Sequence, residues 1–226
     1  MMGMRSELKF YITPFHHALL SSRLGAVLKQ DPYMQGDSFY KVRSLYFDDP
    51  ESGAYREKIN GLEKREKFRI RFYNDDLSFL RLEKKEKIGK FTRKILQPIV
   101  FDEAKMLMEG KVFSLDSADL LGEISRKIRF KGYRPCFIVD YKRSAFCYPA
   151  GNVRITLDSH LRGAAFRGEL LDPGALLSVP TETDHILEIK FDSFFPPHLK
   201  ELFSDIPKVS SAISKFCLTR DFLYKE

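Results

Sequence analysis

The sequence predicts an α+β protein in which about eight antiparallel strands form a β-barrel and helices pack outside it. Most of the strand-like segments follow one another through short turn-like sequences, which is typical of antiparallel pairing. A helical insertion at residues 102–131 interrupts this series of strands. Within the strands, apolar and charged residues alternate, so each strand has an apolar face for helices and a charged face that would line the barrel.

The first half of the chain combines one long helix with several strands. Thr13-Pro14 is a helix start, because Thr is a favoured N-cap and Pro is favoured at the first helical position. The apolar residues that follow at helical spacing are Leu20, Leu24, Val27 and Leu28. Asn74-Asp75-Asp76 has the composition of a hairpin turn between two strands. The predicted elements are a helix from Thr13-Pro14 up to Asp31-Pro32, strands at 39–48, 66–73, 78–87 and 91–96, and a short helix at 54–60.

The second half begins with the helical insertion and then returns to strands. Asp102 is a candidate N-cap for a short helix that ends at Gly110. A second helix is predicted at 116–131, with Leu120, Leu121, Ile124 and Ile128 on one side. The remaining predicted elements are strands at 136–148, 152–158 and 185–192, a loop at 194–197 and a final helix from about Lys208 to Leu223.

Charged residues occupy alternate positions in four of these strands, at 69–71, 81–87, 154–158 and 188–190. Side chains at i and i+2 share a face, so Arg69 lies beside Arg71, and Glu188 lies beside Lys190. Arg81, Glu83, Lys85 and Lys87 share a face in the same way. A solvated polar face explains any one such strand, but its recurrence on four strands favours one shared basic surface. Such a surface suits a polyanion that carries a metal ion.

The length and the 43% hydrophobic content are enough for one large domain or two small ones, and we expect a single domain over residues 1–226. The formal net charge is +7. The positive charge favours an anionic partner but does not identify it. Cys136, Cys147 and Cys217 lack metal-ligand spacing and are expected to be free thiols in a reducing cytoplasm. The sequence has no signal-peptide pattern and no apolar run of about 20 residues, which a membrane helix needs. We therefore expect a cytoplasmic protein, and a position at the inner face of a membrane through a separate membrane-protein partner stays open.

Nine short motifs occur in a distinctive order along nearly the whole chain. They are Glu7-Leu8-Lys9, Leu45-Tyr46-Phe47-Asp48, Phe68-Arg69-Ile70-Arg71-Phe72-Tyr73, Leu82-Glu83-Lys84-Lys85, Thr92-Arg93-Lys94, Tyr141-Lys142-Arg143-Ser144-Ala145-Phe146, Val153-Arg154-Ile155-Thr156-Leu157-Asp158, Leu187-Glu188-Ile189-Lys190-Phe191 and Ser214-Lys215-Phe216. Each motif alone is weak, but their order and spacing resemble the VTC domain, the polyphosphate polymerase domain of the triphosphate tunnel (CYTH-like) superfamily.

This resemblance implies a basic tunnel that binds ATP and inorganic polyphosphate, together with Mn²⁺ or Mg²⁺. It implies catalytic contacts with phosphate from Arg69, Arg71, Lys85, Arg143, Arg154 and Lys190. It also implies substrate contacts from Lys9, Arg43, Glu83, Lys94, Tyr141, Ser214 and Lys215. Glu188 is the implied metal ligand and Glu83 the second candidate, because hard carboxylate oxygens suit these ions. Whether Arg93 or Lys94, and whether Lys84 or Lys85, faces the tunnel is left open.

The resemblance leaves rival functions to consider. The tunnel triphosphatases and cyclase-like enzymes of this superfamily begin with a more acidic Glu-x-Glu-x-Lys motif. Here Arg5 stands where the first glutamate of that motif would be, which disfavours hydrolysis without excluding it. A non-catalytic sensor that binds polyphosphate or nucleotide would use nearly the same residues as a polymerase. Nucleic acid is disfavoured as a partner, because Phe68 and Phe72 are expected to face the helices and not stacked bases.

Overall fold

The computed structural model describes residues 6–34, 37–89, 91–171, 174, 176–181, 185–206 and 209–224. Contacts among the residues divide the chain into two units, each built from separate stretches of sequence. Unit 1 draws on Met1–Lys41, Tyr141–Leu161 and Ser178–Lys215. Unit 2 draws on Val42–Asp140, Arg162–Leu177 and Phe216–Glu226. The single domain that the sequence suggests over residues 1–226 stays a prediction.

The described residues form antiparallel strands and six helices, which confirms the predicted α+β class. The strands are β1 Ser6–Ile12, β2 Lys29–Gln30, β3 Tyr40–Asp48, β4 Lys64–Tyr73, β5 Asp76–Ile88, β6 Phe91–Ile99, β7 Arg134–Tyr148, β8 Val153–Ala165, β9 Leu177–Ser178 and β10 His185–Phe191. The helices are α1 Pro14–Val27, α2 Gly53–Ile59, α3 Phe101–Met108, α4 Leu120–Lys131, α5 Pro197–Lys200 and α6 Lys215–Leu223. Eight of the strands are long, as the sequence predicts, whereas β2 and β9 have two residues each. None of the described helices reaches the length and apolarity that crossing a membrane requires.

In unit 1, the strands lie in the order β1-β10-β8-β7, with β2 paired to β7. Lys9 of β1 lies opposite Glu188 of β10, which in turn lies opposite Thr156 of β8. One pair further along, Lys190 lies opposite Arg154. Because paired residues of neighbouring strands point to the same side of a sheet, this register gathers the charged residues of three strands on one face.

The other face of the unit 1 sheet packs against α1. Ile155, Leu157 and Leu187 are fully buried there, together with Leu20 and Leu24 of the helix. The Thr13 hydroxyl accepts a hydrogen bond from the amide of His16 at 3.2 Å, which confirms the predicted N-cap. Val27 is 55% exposed, so it lies outside this buried face although its spacing is helical.

In unit 2, the strands lie in the order β3-β4-β5-β6, and β7 neighbours β3. The β4–β5 turn is the predicted hairpin, since Asn74 and Asp75 have positive φ angles of 52° and 59°. Two consecutive residues with positive φ are the signature of a type I′ turn, which matches the twist of the flanking strands. The resulting register places Arg69 opposite both Tyr46 of β3 and Glu83 of β5.

The apolar face of the unit 2 sheet packs against the helical insertion, as the alternation predicts. Phe68, Ile70 and Leu82 are fully buried in one core with Leu107 of α3 and Ile124 of α4. The charged residues between them in sequence therefore point to the opposite face of the sheet.

Two helix starts in the insertion differ from the predictions. Helix α3 begins at Phe101, and the amide of Val100 donates to Oε2 of Glu103 at 2.9 Å, so Asp102 lies in the first turn and is not the cap. Helix α4 begins at Leu120, four residues later than predicted. Its N-cap is Asp119, whose carboxylate accepts from the amide of Gly122 at 2.9 Å.

The last helix is shorter than predicted. Lys208 lies outside the described residues, and residues 209–214 are not helical, so α6 begins at Lys215. The amide of Ser211 donates instead to the carbonyl of Lys9 at 2.8 Å, and Nζ of Lys9 donates to the carbonyl of Ile213 at 3.0 Å. These bonds tie the segment to β1, and its serines compete locally with helical hydrogen bonding.

Candidate functional site

The charged face of unit 1 holds a compact group of cations around two buried carboxylates. We call this group the unit 1 cluster; it comprises Lys9, Arg143, Arg154, Asp158, Glu188, Lys190 and Lys215. Its residues come from β1, β7, β8, β10 and the first position of α6. Six of the fourteen residues that the sequence points to as site residues belong to it.

Asp158 anchors one side of the unit 1 cluster. Arg143 donates from Nε to Oδ1 at 2.6 Å and from Nη2 to Oδ2 at 2.7 Å, and Nζ of Lys215 lies 2.6 Å from Oδ2. Burial alone would raise the pKa of Asp158, but the charges of Arg143 and Lys215 outweigh it and hold that pKa below its usual value. The carboxylate therefore stays ionised and fixes both cations in place.

Glu188 anchors the other side. Its Oε1 lies 2.7 Å from Nζ of Lys190, and its Oε2 lies 3.8 Å from Nη2 of Arg143. Burial opposes ionisation here as well, yet Lys190, a hydrogen bond with Glu7 and the charge of Lys9 hold the pKa of Glu188 well below its usual value. Lys9 also contacts Oε1 of Glu7 at 2.9 Å.

The remaining predicted residues of unit 1 lie around this core. Arg154 forms an ion pair with Asp31 and donates to the hydroxyl of Tyr40 at 3.2 Å. The ring of Tyr141 lies beneath two cations, with its centroid 4.9 Å from Nζ of Lys215 and 5.2 Å from the guanidinium carbon of Arg143. Ser214 comes immediately before α6.

The charged face of unit 2 carries a second group, centred on Glu83, whose side chain is only 1% exposed. We call it the unit 2 cluster; it comprises Ser44, Tyr46, Arg69, Arg71, Glu83 and Lys94. Nε of Arg69 donates to Oε2 of Glu83 at 2.7 Å, and Nζ of Lys94 donates to Oε1 at 2.8 Å. Nη1 of Arg71 lies 4.0 Å from the same carboxylate.

Hydroxyl groups orient the two arginines of this cluster. Nη1 of Arg69 donates to the Tyr46 hydroxyl at 2.8 Å, and Nε of Arg71 donates to the Ser44 hydroxyl at 3.0 Å. Burial would raise the pKa of Glu83, but Arg69, Arg71 and Lys94 lower it to about 2. The arrangement presents fixed Arg and Lys donors around one ionised carboxylate, which is suited to binding the oxygens of a phosphate chain.

The comparisons with known proteins are consistent with this picture. The family model of the VTC domain matches residues 4–224. The chain belongs to the VTC domain family. Its fold is of the triphosphate tunnel type: the crystal structure of a candidate adenylate cyclase from Bacillus halodurans superposes with a TM-score of 0.54 at 14% sequence identity, covering 95% of this chain and 96% of that one. No curated protein matches the chain.

The register of the VTC domain settles two alternatives that the sequence leaves open. Lys94 reaches Glu83, whereas Arg93 pairs with Glu86 at 3.0 Å. Lys85 is exposed and lies opposite Lys94, on the charged face. Lys84 points to the helical side, where its Nζ lies 3.0 Å from Glu66 and also contacts Glu123 of α4.

Arg43 is a predicted site residue that lies on the opposite face of the sheet from the unit 2 cluster. It lies opposite Phe72, on the apolar face of the unit 2 sheet. Its guanidinium donates to Oδ2 of Asp140 at 3.0 Å and to the carbonyls of Leu170 and Leu171 at 3.0 and 2.9 Å. The side chain is buried and these acceptors occupy its guanidinium, so the structure gives Arg43 a structural role and its contact with phosphate stays a prediction.

The structure also adds residues that sequence reasoning missed. Asp31 and Tyr40 flank Arg154, although no local pattern marks them, because they meet it only through tertiary structure. Tyr46 could have been found, since it stands in a motif and lies directly across from Arg69. Lys67 could have been found as well, because it precedes Arg69 by two positions and therefore shares its face.

The donor set of the VTC domain restricts how it can hold a divalent cation. Among the described residues, no group of three or more His, Cys, Asp or Glu side chains is arranged to hold a metal ion. Glu188 is buried among cations and has Glu7 beside it. This fits an ion that takes one or two protein carboxylates and the rest of its ligands from phosphate and water, which is the usual habit of Mg²⁺.

Proposed function

We propose that this VTC domain transfers the γ-phosphate of ATP to the end of a growing inorganic polyphosphate chain. The observation that carries the proposal is the composition of the two clusters, which together hold eight Arg and Lys side chains and three buried carboxylates, Asp158, Glu188 and Glu83. Buried and half-buried cations that lie this close together repel one another, so binding a polyanion would relieve the repulsion.

Transfer of a phosphoryl group requires little covalent chemistry from the protein. A terminal oxygen of the polyphosphate chain attacks the γ-phosphorus, the bond to the β,γ-bridging oxygen breaks, and ADP leaves. The developing charge spreads over non-bridging oxygens, so positioned cations supply most of the stabilisation. In the unit 2 cluster such cations are Arg69, Arg71 and Lys94. In the unit 1 cluster they are Arg143 and Lys190.

Mn²⁺ or Mg²⁺ fits the role of cofactor. When bound, such an ion neutralises phosphate charge and acts as a Lewis acid. Glu188 is the residue that would hold it, with Glu7 beside it as a second oxygen ligand. The position of Glu7 beside Glu188 favours a second candidate function, a metal-dependent triphosphatase, because paired carboxylates are typical of the hydrolytic enzymes that this fold resembles. The structurally similar protein from Bacillus halodurans is described as a candidate adenylate cyclase, so formation of cyclic AMP is a further outcome to monitor.

One assay separates these functions. The purified protein is incubated with ATP and Mn²⁺, and the products are resolved as polyphosphate, ADP, free phosphate and cyclic AMP. Growth of long polyphosphate with one ADP per phosphate added supports the polymerase. Release of free phosphate without polymer supports the triphosphatase. Binding of ATP with no turnover supports a non-catalytic sensor domain.

Matched variants connect the activity to the clusters. Arg71→Ala and Arg143→Ala each remove one guanidinium from a cluster, whereas Arg129→Ala removes one from the exposed surface of α4. We expect synthesis to fall by about 100-fold or more in the first two and to stay unchanged in the third. Full synthesis by both cluster variants would exclude the clusters as the site.

A further inference from the structure

Lys67 lies on the charged face of unit 2, next to the unit 2 cluster but outside it. It precedes Arg69 by two residues in β4. Across the sheet it lies opposite Lys85 of β5, which lies opposite Lys94 of β6. Three lysines thus stand side by side on three neighbouring strands. Like charges directly opposite one another destabilise a sheet, and Glu83 compensates the charge of Lys94 at one end of this row.

The contacts of Lys67 hold its ammonium group in place without neutralising it. Nζ lies 3.6 Å from the ring centroid of Phe216 and 4.0 Å from Sγ of Cys217. Among the described residues, no carboxylate forms an ion pair with it. Phe216 is itself packed at 5.0 Å from the ring of Tyr46 and 5.2 Å from that of Phe137, so the platform beneath the ammonium is rigid.

The charge of Lys67 is costly to keep in this position. Burial lowers the pKa of Lys67 to about 8, and the neighbouring Lys58 and Lys85 act in the same direction. A purely structural lysine would gain more from a carboxylate partner or from full hydration. An anion bound on the charged face of the sheet would supply the negative counter-charge for Lys67.

We propose that Lys67 is a further phosphate-binding residue, which donates from its ammonium group to a non-bridging oxygen of a condensed phosphate chain. The inference rests on the proposed function, because it takes that chain as the ligand of the neighbouring Arg69 and Lys94. The proposed phosphate-binding face then includes two neighbouring rows across the strands. One row contains Arg69 and Glu83, and the next contains Lys67, Lys85 and Lys94. A substrate would then contact both rows.

Binding of inorganic tripolyphosphate, measured by titration calorimetry without ATP or metal, tests this role independently of turnover. Lys67→Gln removes the charge but keeps most of the stem against Phe216, and Lys67→Arg retains the charge. Lys64→Gln is the matched control, because Lys64 is an exposed residue of the same strand on the opposite face. We expect about tenfold weaker binding for Lys67→Gln, wild-type affinity within about threefold for Lys67→Arg, and no change for Lys64→Gln.

The outcomes distinguish the inference from the proposed function. If wild-type protein binds tripolyphosphate and Lys67→Gln binds it equally tightly, Lys67 is only a structural partner of Phe216, and the inference is overturned while the function stands. If wild-type protein neither binds tripolyphosphate nor makes polyphosphate, the proposed function fails, and the inference fails with it. Thermal unfolding confirms that each variant is folded, and Lys67→Met replaces the Gln variant if the latter does not fold.

Discussion

Arg143 and Asp158 form a two-point ion pair, with N–O distances of 2.6 and 2.7 Å, and both side chains are almost completely shielded from solvent. The geometry fixes the plane of the guanidinium, because Nε and Nη2 donate to the two oxygens of one carboxylate. Lys215 contacts the same carboxylate at 2.6 Å, so Asp158 positions two of the predicted phosphate-binding cations at once. The carboxylate is a positioning residue and not a ligand for phosphate.

Replacing that carboxylate by an amide should therefore unbalance the unit 1 cluster. Asp158→Asn keeps the shape but leaves Arg143 and Lys215 without their counter-ion. We expect the free energy of unfolding at pH 7 to fall by about 3 kcal/mol, because removing one partner of a buried ion pair leaves an uncompensated charge. Urea denaturation measures this change, and Asp102→Asn, at an exposed position of α3, is the control. Equal stability of the two variants would show that the pair contributes little.

Removing the proposed metal ligand should separate catalysis from anion binding. Glu188→Gln deletes a negative charge from a region that would bind phosphates, so its affinity for tripolyphosphate in EDTA should equal or exceed that of wild-type protein. Synthesis with Mn²⁺ should nevertheless fall at least about tenfold, because the ion loses its protein carboxylate. Assays over a range of Mn²⁺ concentrations test this, and a variant that keeps wild-type synthesis at every concentration rules out Glu188 as the ligand.

The sequence predicted the charged faces well because strand periodicity is local. Arg69 and Arg71 are two residues apart, so they share a face in any strand register. By the same rule Arg43 shares its face with Leu45 and Phe47, and both of these pack in the apolar core. Which face of β3 meets the helices is decided by packing of the whole sheet.

Partners distant in sequence were out of reach for a different reason. Arg154 meets Asp31 and Tyr40, which are more than 100 residues away in sequence. The start of α6 was missed because the backbone of Ser211 and of Ile213 binds Lys9 of β1, and helical spacing of apolar residues alone does not reveal this. Local patterns thus predicted the elements and most of the cluster residues, whereas tertiary contacts determine which of them meet.

Acid should destabilise unit 1 through His17. Its ring lies 4.6 Å from that of His185, and burial together with the charges of His185 and His160 lowers its pKa from 6.5 to about 4, although Asp158 opposes the shift. Between these pH values the unfolded chain binds a proton that the folded state does not. The free energy of unfolding should therefore decline as the pH falls from about 6.5 to about 4.

The variant His17→Gln isolates this contribution. It should flatten the decline in unfolding free energy over the same pH interval, whereas His198→Gln, at an exposed position, should not. Urea denaturation at several pH values provides the comparison. Parallel curves for His17→Gln and wild-type protein would mean that His17 titrates alike in the folded and unfolded states.

Arg43 offers the sharpest contrast between a structural and a substrate-binding cation. Its guanidinium donates to Asp140 at 3.0 Å and also to the backbone carbonyls of Leu170 and Leu171, and none of these acceptors belongs to either cluster. Arg43→Met should keep the stem packed but leave these acceptors unsatisfied, and we expect a loss of about 2–4 kcal/mol in the free energy of unfolding. Because Arg43 lies on the apolar face, the affinity of the folded variant for tripolyphosphate should stay within about twofold of wild type.

The matched variant Arg69→Met should show the reverse, with a larger loss in affinity than Arg43→Met. A strong loss of tripolyphosphate binding in folded Arg43→Met would restore Arg43 to the binding site and contradict its structural assignment.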